Sequence, residues 1–88
     1  MIEVEVENLK QLEVVLATDA DRVLLDNMDL ETLRLAVEMT DGRLVIEASG
    51  GVTLDNVRSI AATGVDIISV GWITHSAPQM DIALDFLA

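Results

Sequence analysis

Glu47-Ala48-Ser49-Gly50-Gly51-Val52-Thr53 is the stretch whose reading decides the fold. It follows an apolar run, Leu44-Val45-Ile46, and leads into a helix start, Thr53-Leu54-Asp55-Asn56-Val57. A strand that ends in a small hydroxyl residue and two glycines, then turns into a helix, has the layout of a phosphate cradle. The glycines let backbone N–H groups approach a ligand, and a helix N-terminus offers unpaired donors with a positive partial charge. The same residues also suit a plain tight connection between strand and helix, so the rest of the chain has to decide.

Upstream, Asp41-Gly42 is a turn signal, and Leu30, Leu33, Ala36 and Val37 lie at helical spacing behind Asp29, a good N-cap. Val23-Leu24-Leu25 is a short buried-strand run that ends in Asp26-Asn27. Before it, Asn8 caps a helix carrying Leu9, Leu12, Val15 and Leu16 on one face. Residues 2–6 alternate apolar with acidic, which is the strand period. Downstream, Thr53 is expected to cap a third helix with Val57, Ile60 and Ala61 facing inward, and Gly64 suits the left-handed residue that ends it. Asp66–Val70 reads as a fourth strand closed by Gly71, and Trp72-Ile73-Thr74-His75-Ser76 as a loop. Pro78 suits the start of a further helix. The tail from Met80 to Phe86 fits a helix and a strand equally well.

Strand and helix therefore alternate, which predicts an α/β fold with parallel strands and right-handed crossovers. Residues 1–79 are expected to form four consecutive βα units, either a small open sheet or half of a βα barrel, with residues 80–88 as a separate tail. The chain has 88 residues, so it is one small domain or part of a larger one. Hydrophobic residues make up 51% and aromatics 2%, so the core must be aliphatic, as suits strands buried on both faces. A strand that starts directly behind Met1 leads us to expect a piece of a larger barrel, cut or engineered. The net charge of −11 argues against nucleic acid or an anionic membrane as a partner. Without cysteine there is no disulfide, thiolate metal site or thiol nucleophile. No apolar run approaches the roughly 20 residues of a membrane span and no signal-type leader is present, so a cytoplasmic location is expected.

Each strand ends in polar or small residues: Glu5 and Glu7, then Asp26 and Asn27, then Glu47, Ser49, Gly50 and Gly51, then Ser69 and Gly71 with Thr74, His75 and Ser76 beyond. Glu5 to Asp26 is 26 − 5 = 21 residues, Asp26 to Ser49 is 49 − 26 = 23, and Ser49 to Gly71 is 71 − 49 = 22. Each step is one βα unit, so these residues come to the same edge of one sheet, the edge where parallel α/β folds bind ligands. Glycine turns there would receive a phosphate, and carboxylates would accept from sugar hydroxyls or meet Mg²⁺ through water. A sugar phosphate fits that edge. Asp26 suits a helix cap as well as a ligand contact, and His75 suits an exposed loop as well as a phosphate donor.

The segments Val4-Glu5-Val6-Glu7-Asn8-Leu9, Leu24-Leu25-Asp26-Asn27-Met28, Glu47 to Thr53, Thr63 to Gly71, and Thr74-His75-Ser76-Ala77-Pro78 share an order and spacing. Together they resemble the C-terminal barrel of quinolinate phosphoribosyltransferase, the carboxylating nicotinate-nucleotide pyrophosphorylase. The resemblance implies a reaction of quinolinate with phosphoribosyl pyrophosphate and Mg²⁺, giving nicotinate mononucleotide, pyrophosphate and carbon dioxide in NAD biosynthesis. It implies that Glu5 and Asp26 contact the ribose hydroxyls and the metal-bound pyrophosphate. It implies that Ser49, Gly50, Gly51, Gly71 and His75 hold the 5′-phosphate. It also implies that the tail pairs as a strand with a domain not included in this chain.

The five cations Lys10, Arg22, Arg34, Arg43 and Arg58 fall on helices or at strand starts. Two dianionic substrates need cations at the site edge, so the chain alone is not expected to be catalytic. Half a barrel also leaves two open edges and an apolar inner face exposed, which predicts self-association into a homodimer or larger assembly. The alternative expectation is a structural half-barrel that assembles without ligand or activity.

Overall fold

A computed structural model describes residues 1–70 and 73–77. The elements run β1 (Glu3–Val6), α1 (Leu9–Leu16), β2 (Arg22–Asp26), α2 (Leu30–Thr40), β3 (Val45–Ser49), α3 (Val57–Ala61), β4 (Ile67–Val70) and β5 (Ile73–Ser76). One five-stranded sheet has the order β1-β2-β3-β4-β5. The first four strands are parallel neighbours, as a chain of βα units requires. The alternating α/β pattern read from the sequence is therefore the fold, and it is consistent with half of a βα barrel.

Local signals set the element ends. The Asn8 side chain accepts from the Gln11 N–H at 2.8 Å, and the Gln11 side chain reaches back to the Glu7 N–H at 2.7 Å. One orphan donor of α1 and the N–H just ahead of its cap are thereby satisfied. Asp29 caps α2 through the Thr32 N–H at 2.8 Å. Asp26 is thus not that helix's cap, which removes one of its two sequence readings. Arg43 closes the other end of α2, donating to the carbonyls of Thr40 and Met39, where a cation also suits the helix dipole. Gly64 has φ +99 and follows α3 in the left-handed conformation expected of it.

Strand alternation and helix spacing meet in one aliphatic core. Val6, Val23, Leu25, Ile46, Ala48 and Ile68 point from the sheet toward Leu12, Val15, Leu33, Ala36, Val57 and Ile60 on the helices, and all are buried. The odd-phase residues of the strands form the opposite face: Glu3, Glu5, Arg22, Leu24, Asp26, Val45, Glu47, Ser49, Ile67 and Ser69. That face was expected to be apolar. It carries charge and hydroxyls as well as Leu24, Val45 and Ile67, because its strands start or end on polar residues and Glu47 interrupts β3.

Two segments differ from the sequence expectation. The helix expected to start behind Thr53 spans only Val57–Ala61. Thr53 and Asn56 bond each other ahead of it, the Thr53 N–H donating to the Asn56 side chain at 2.8 Å and the Asn56 N–H to the Thr53 hydroxyl at 3.3 Å. This reciprocal pair is a capping box, as the sequence reading of Thr53 expected, and the Thr53 carbonyl accepts from the Val57 N–H at 2.9 Å, so one turn leads from the cap into the short regular helix. The second difference is Ile73–Ser76, which is a strand rather than a loop and pairs antiparallel with β4, Ile68 opposite His75 and Val70 opposite Ile73. Ile73 and Thr74 are β-branched and favour the pleated conformation. The helix proposed behind Pro78, the tail at 80–88, Gly71 and Trp72 lie outside the described residues.

Candidate functional site

The carboxyl edge of the sheet brings the ends of β2 and β3 into contact. Asp26 and Ser49 are register partners, and the Asn27 N–H donates to the Ser49 carbonyl at 2.8 Å. Asn27 takes φ 55, a left-handed value that asparagine tolerates. Gly50 and Gly51 follow at φ 80 and φ 66. A Cβ on Gly50 would lie 2.8 Å from Asp26 Oδ1 and 2.9 Å from the Asn27 nitrogen, and one on Gly51 would lie 3.2 Å from Asn27 Oδ1. Gly50 is therefore required twice, by conformation and by the approach of the β2 backbone, and Gly51 by conformation.

This packing joins the predicted second- and third-strand site residues in one structure. Asp26 is half-buried with its carboxylate against Gly50, and Ser49 is half-buried beside it. Glu5 sits on the same face one strand away, exposed and level with Leu24. The loop's own bonds use the Gly51 carbonyl, which accepts from the Asn56 side chain at 2.8 Å, and the N–H groups of Thr53 and Asn56. Among the described residues, no acceptor engages the N–H of Gly50 or Gly51. Both are backbone donors at the carboxyl edge of the sheet. They belong to a loop rather than to a helix terminus, since α3 starts six residues later.

His75 lies in a strand rather than in the expected loop: its backbone belongs to β5, opposite Ile68. Gly71, the remaining predicted phosphate contact, lies outside the described residues. Among the described residues, no group of three His, Asp or Glu side chains converges to hold a metal ion. A groove lined by Arg58, Ala61, Gly64, Val65, Asp66 and Ala77 lies at the opposite edge of the sheet. Its one carboxylate is already engaged, as Asp66 accepts from the Ile46 N–H at 2.8 Å.

Sequence reasoning missed a polar network beneath the edge. Glu47 is only 9% exposed. It accepts from Arg22 Nη1 at 3.2 Å and from the Ser69 hydroxyl at 2.5 Å. Glu3 adds a longer contact to the same guanidinium at 3.6 Å. The available signal was a carboxylate inside an apolar run, Leu44-Val45-Ile46-Glu47-Ala48, because a buried charge needs partners. No helix among the described residues is long and apolar enough to cross a membrane.

Comparison with known proteins agrees with this architecture. The family model for the quinolinate phosphoribosyl transferase C-terminal domain matches residues 1–85. A probable carboxylating nicotinate-nucleotide pyrophosphorylase of Bacillus subtilis is 40% identical over 84 residues, covering 96% of this chain and 29% of the relative. The Mycobacterium leprae nicotinate-nucleotide pyrophosphorylase is 43% identical over 86 residues, covering 94% of this chain and 30% of its own length. The crystal structure of the nicotinate-nucleotide pyrophosphorylase from Ehrlichia chaffeensis superposes with a TM-score of 0.77 at 46% identity, over 80% of this chain and 26% of that one. The chain thus spans under a third of the length of these relatives. It belongs to the quinolinate phosphoribosyltransferase family and corresponds to part of that family's C-terminal domain.

Proposed function

We infer that this chain carries the ribose-phosphate-binding wall of a quinolinate phosphoribosyltransferase. The observation that supports this most is the junction of Gly50 and Gly51 with Asp26 and Asn27, where two left-handed glycines lie beside a carboxylate and no described residue accepts from their N–H groups. In this reading Ser49, Gly50 and Gly51, with Gly71 and His75, receive the 5′-phosphate. Glu5 and Asp26 accept from the ribose hydroxyls and meet the magnesium that accompanies pyrophosphate. Their charge also favours the positive ribose that develops as pyrophosphate departs. The parent reaction, from quinolinate and phosphoribosyl pyrophosphate to nicotinate mononucleotide, pyrophosphate and carbon dioxide, is the one this wall would serve, in the cytoplasm.

The chain alone binds in this account but does not turn over. Arg22, the cation on the open face, is held near the opposite edge by Glu47 and Glu3. Arg43 closes α2, and Lys10, Arg34 and Arg58 belong to the helices. Cations for two anionic substrates must come from elsewhere, which makes assembly part of the proposal. Self-association would cover Leu24, Val45 and Ile67. The distribution of cations also favours a second reading, a self-assembling half-barrel without ligand.

Titration with phosphoribosyl pyrophosphate and Mg²⁺ separates the two. The account expects saturable binding that Ser49→Asp weakens by roughly tenfold or more, since a carboxylate would then face the phosphate. Absence of binding supports the half-barrel without ligand, and binding indifferent to that change overturns the Ser49-Gly50-Gly51 cradle.

A further inference from the structure

A buried carboxylate that the proposed binding role does not use links three strands. Glu47 lies in mid-β3, two residues before Ser49 and on the same face. One of its oxygens accepts from Arg22 at the start of β2, and the other from Ser69 on β4. The ladder explains why the second bond matters. β2 and β3 stay in register as far as Asp26 and Ser49. β3 and β4 pair only at Glu47 with Ile67 and at Ala48 with Ile68. Among the described residues, no ladder pair between β3 and β4 follows Ala48 with Ile68. The Ser69–Glu47 bond falls at that point, and it is short and charge-assisted.

We propose that Glu47 is a positioning residue: through Ser69 it fixes how far the carboxyl end of β4 stands from the Ser49-Gly50-Gly51 turn. Arg22 holds the other oxygen, so the carboxylate cannot swing away from this task. Its consequence for ligand binding rests on the phosphate-cradle reading above, whereas the clamp rests on the geometry of the chain itself.

The test uses the 88-residue chain with Ser69→Ala, Ser69→Thr and Glu47→Gln. Amide hydrogen exchange without ligand is read at Asn27, whose N–H is bonded to the Ser49 carbonyl, and at Leu12 in α1 as the internal standard. Phosphoribosyl pyrophosphate affinity is read in parallel. Ser69→Ala is expected to speed exchange at Asn27 and to weaken affinity, each roughly tenfold, with Leu12 unchanged. Ser69→Thr keeps the hydroxyl and is expected to restore both. Glu47→Gln keeps an acceptor for Ser69 but places a neutral amide near Arg22, and is expected to fall between.

Unchanged exchange at Asn27 in Ser69→Ala overturns the clamp. So does exchange that rises equally at Leu12, which marks general loosening. Faster exchange with unaltered affinity overturns the positioning role. If the parent chain binds no phosphoribosyl pyrophosphate, the phosphate reading falls, and the exchange data still decide the clamp.

Discussion

Gly50 shows how strongly one position is constrained. At φ 80, with a would-be Cβ 2.8 Å from Asp26 Oδ1 and 2.9 Å from the Asn27 nitrogen, it has room for nothing larger. Gly50→Ala is therefore expected to destabilise the fold by about 2 kcal/mol or more in chemical denaturation, from left-handed strain alone, before the overlap is counted. The equivalent change at Gly42, also left-handed but with nothing within 4 Å, should cost less. The importance of Ser49-Gly50-Gly51 was legible in the sequence, since two glycines after a strand mark a backbone that needs them. The partner of that turn was not. That Asp26 lies against Gly50 rather than capping α2 depends on strand register, which a single sequence states only through the spacing of its units. Glu47 was visible as a charge in an apolar run, but Arg22 and Ser69 are 25 and 22 residues away from it.

The elements are set by their caps, and the caps make separate predictions. Asn8→Ala should cost about 1 kcal/mol in thermal or urea unfolding, because it orphans the Gln11 N–H at the start of α1. Asp29 acts likewise on α2 but carries charge. Its carboxyl is held below the usual carboxylate range by hydrogen bonds from the Thr32 side chain and backbone. A lowered folded value means that its stabilising effect is complete above the unfolded value, near 3.8, and is lost as the pH falls through the folded one. An acid titration of stability should therefore lose part of its slope below about pH 4 in Asp29→Asn, which keeps a cap without the charge. Caps and periods were read correctly for β1 to α2 because those signals are local. The cap read at Thr53 is also present, as a reciprocal pair with Asn56, although the regular helix behind it spans only Val57–Ala61. One local reading gave way: pairing with β4 turns Ile73–Ser76 into a strand, which propensity at a few residues only hints at.

At the scale of the molecule, the two faces of the sheet have different roles. One is sealed by three helices over an aliphatic core. The other presents Leu24, Val45 and Ile67 among Glu3, Glu5, Arg22, Asp26 and Glu47. β1 pairs only with β2 among the described residues, so its outer edge also offers ladder groups to a further strand. Sedimentation of the chain is accordingly expected to show a dimer or larger species whose share rises with concentration. A monomer at high concentration would remove assembly from the proposal. The ligand itself is tested most directly by following backbone amide resonances as phosphoribosyl pyrophosphate and Mg²⁺ are added to the 88-residue chain. The account predicts saturable shifts centred on Gly50 and Gly51 that are lost in Ser49→Asp. Shifts that are absent, or that appear at other residues and survive that substitution, would contradict it.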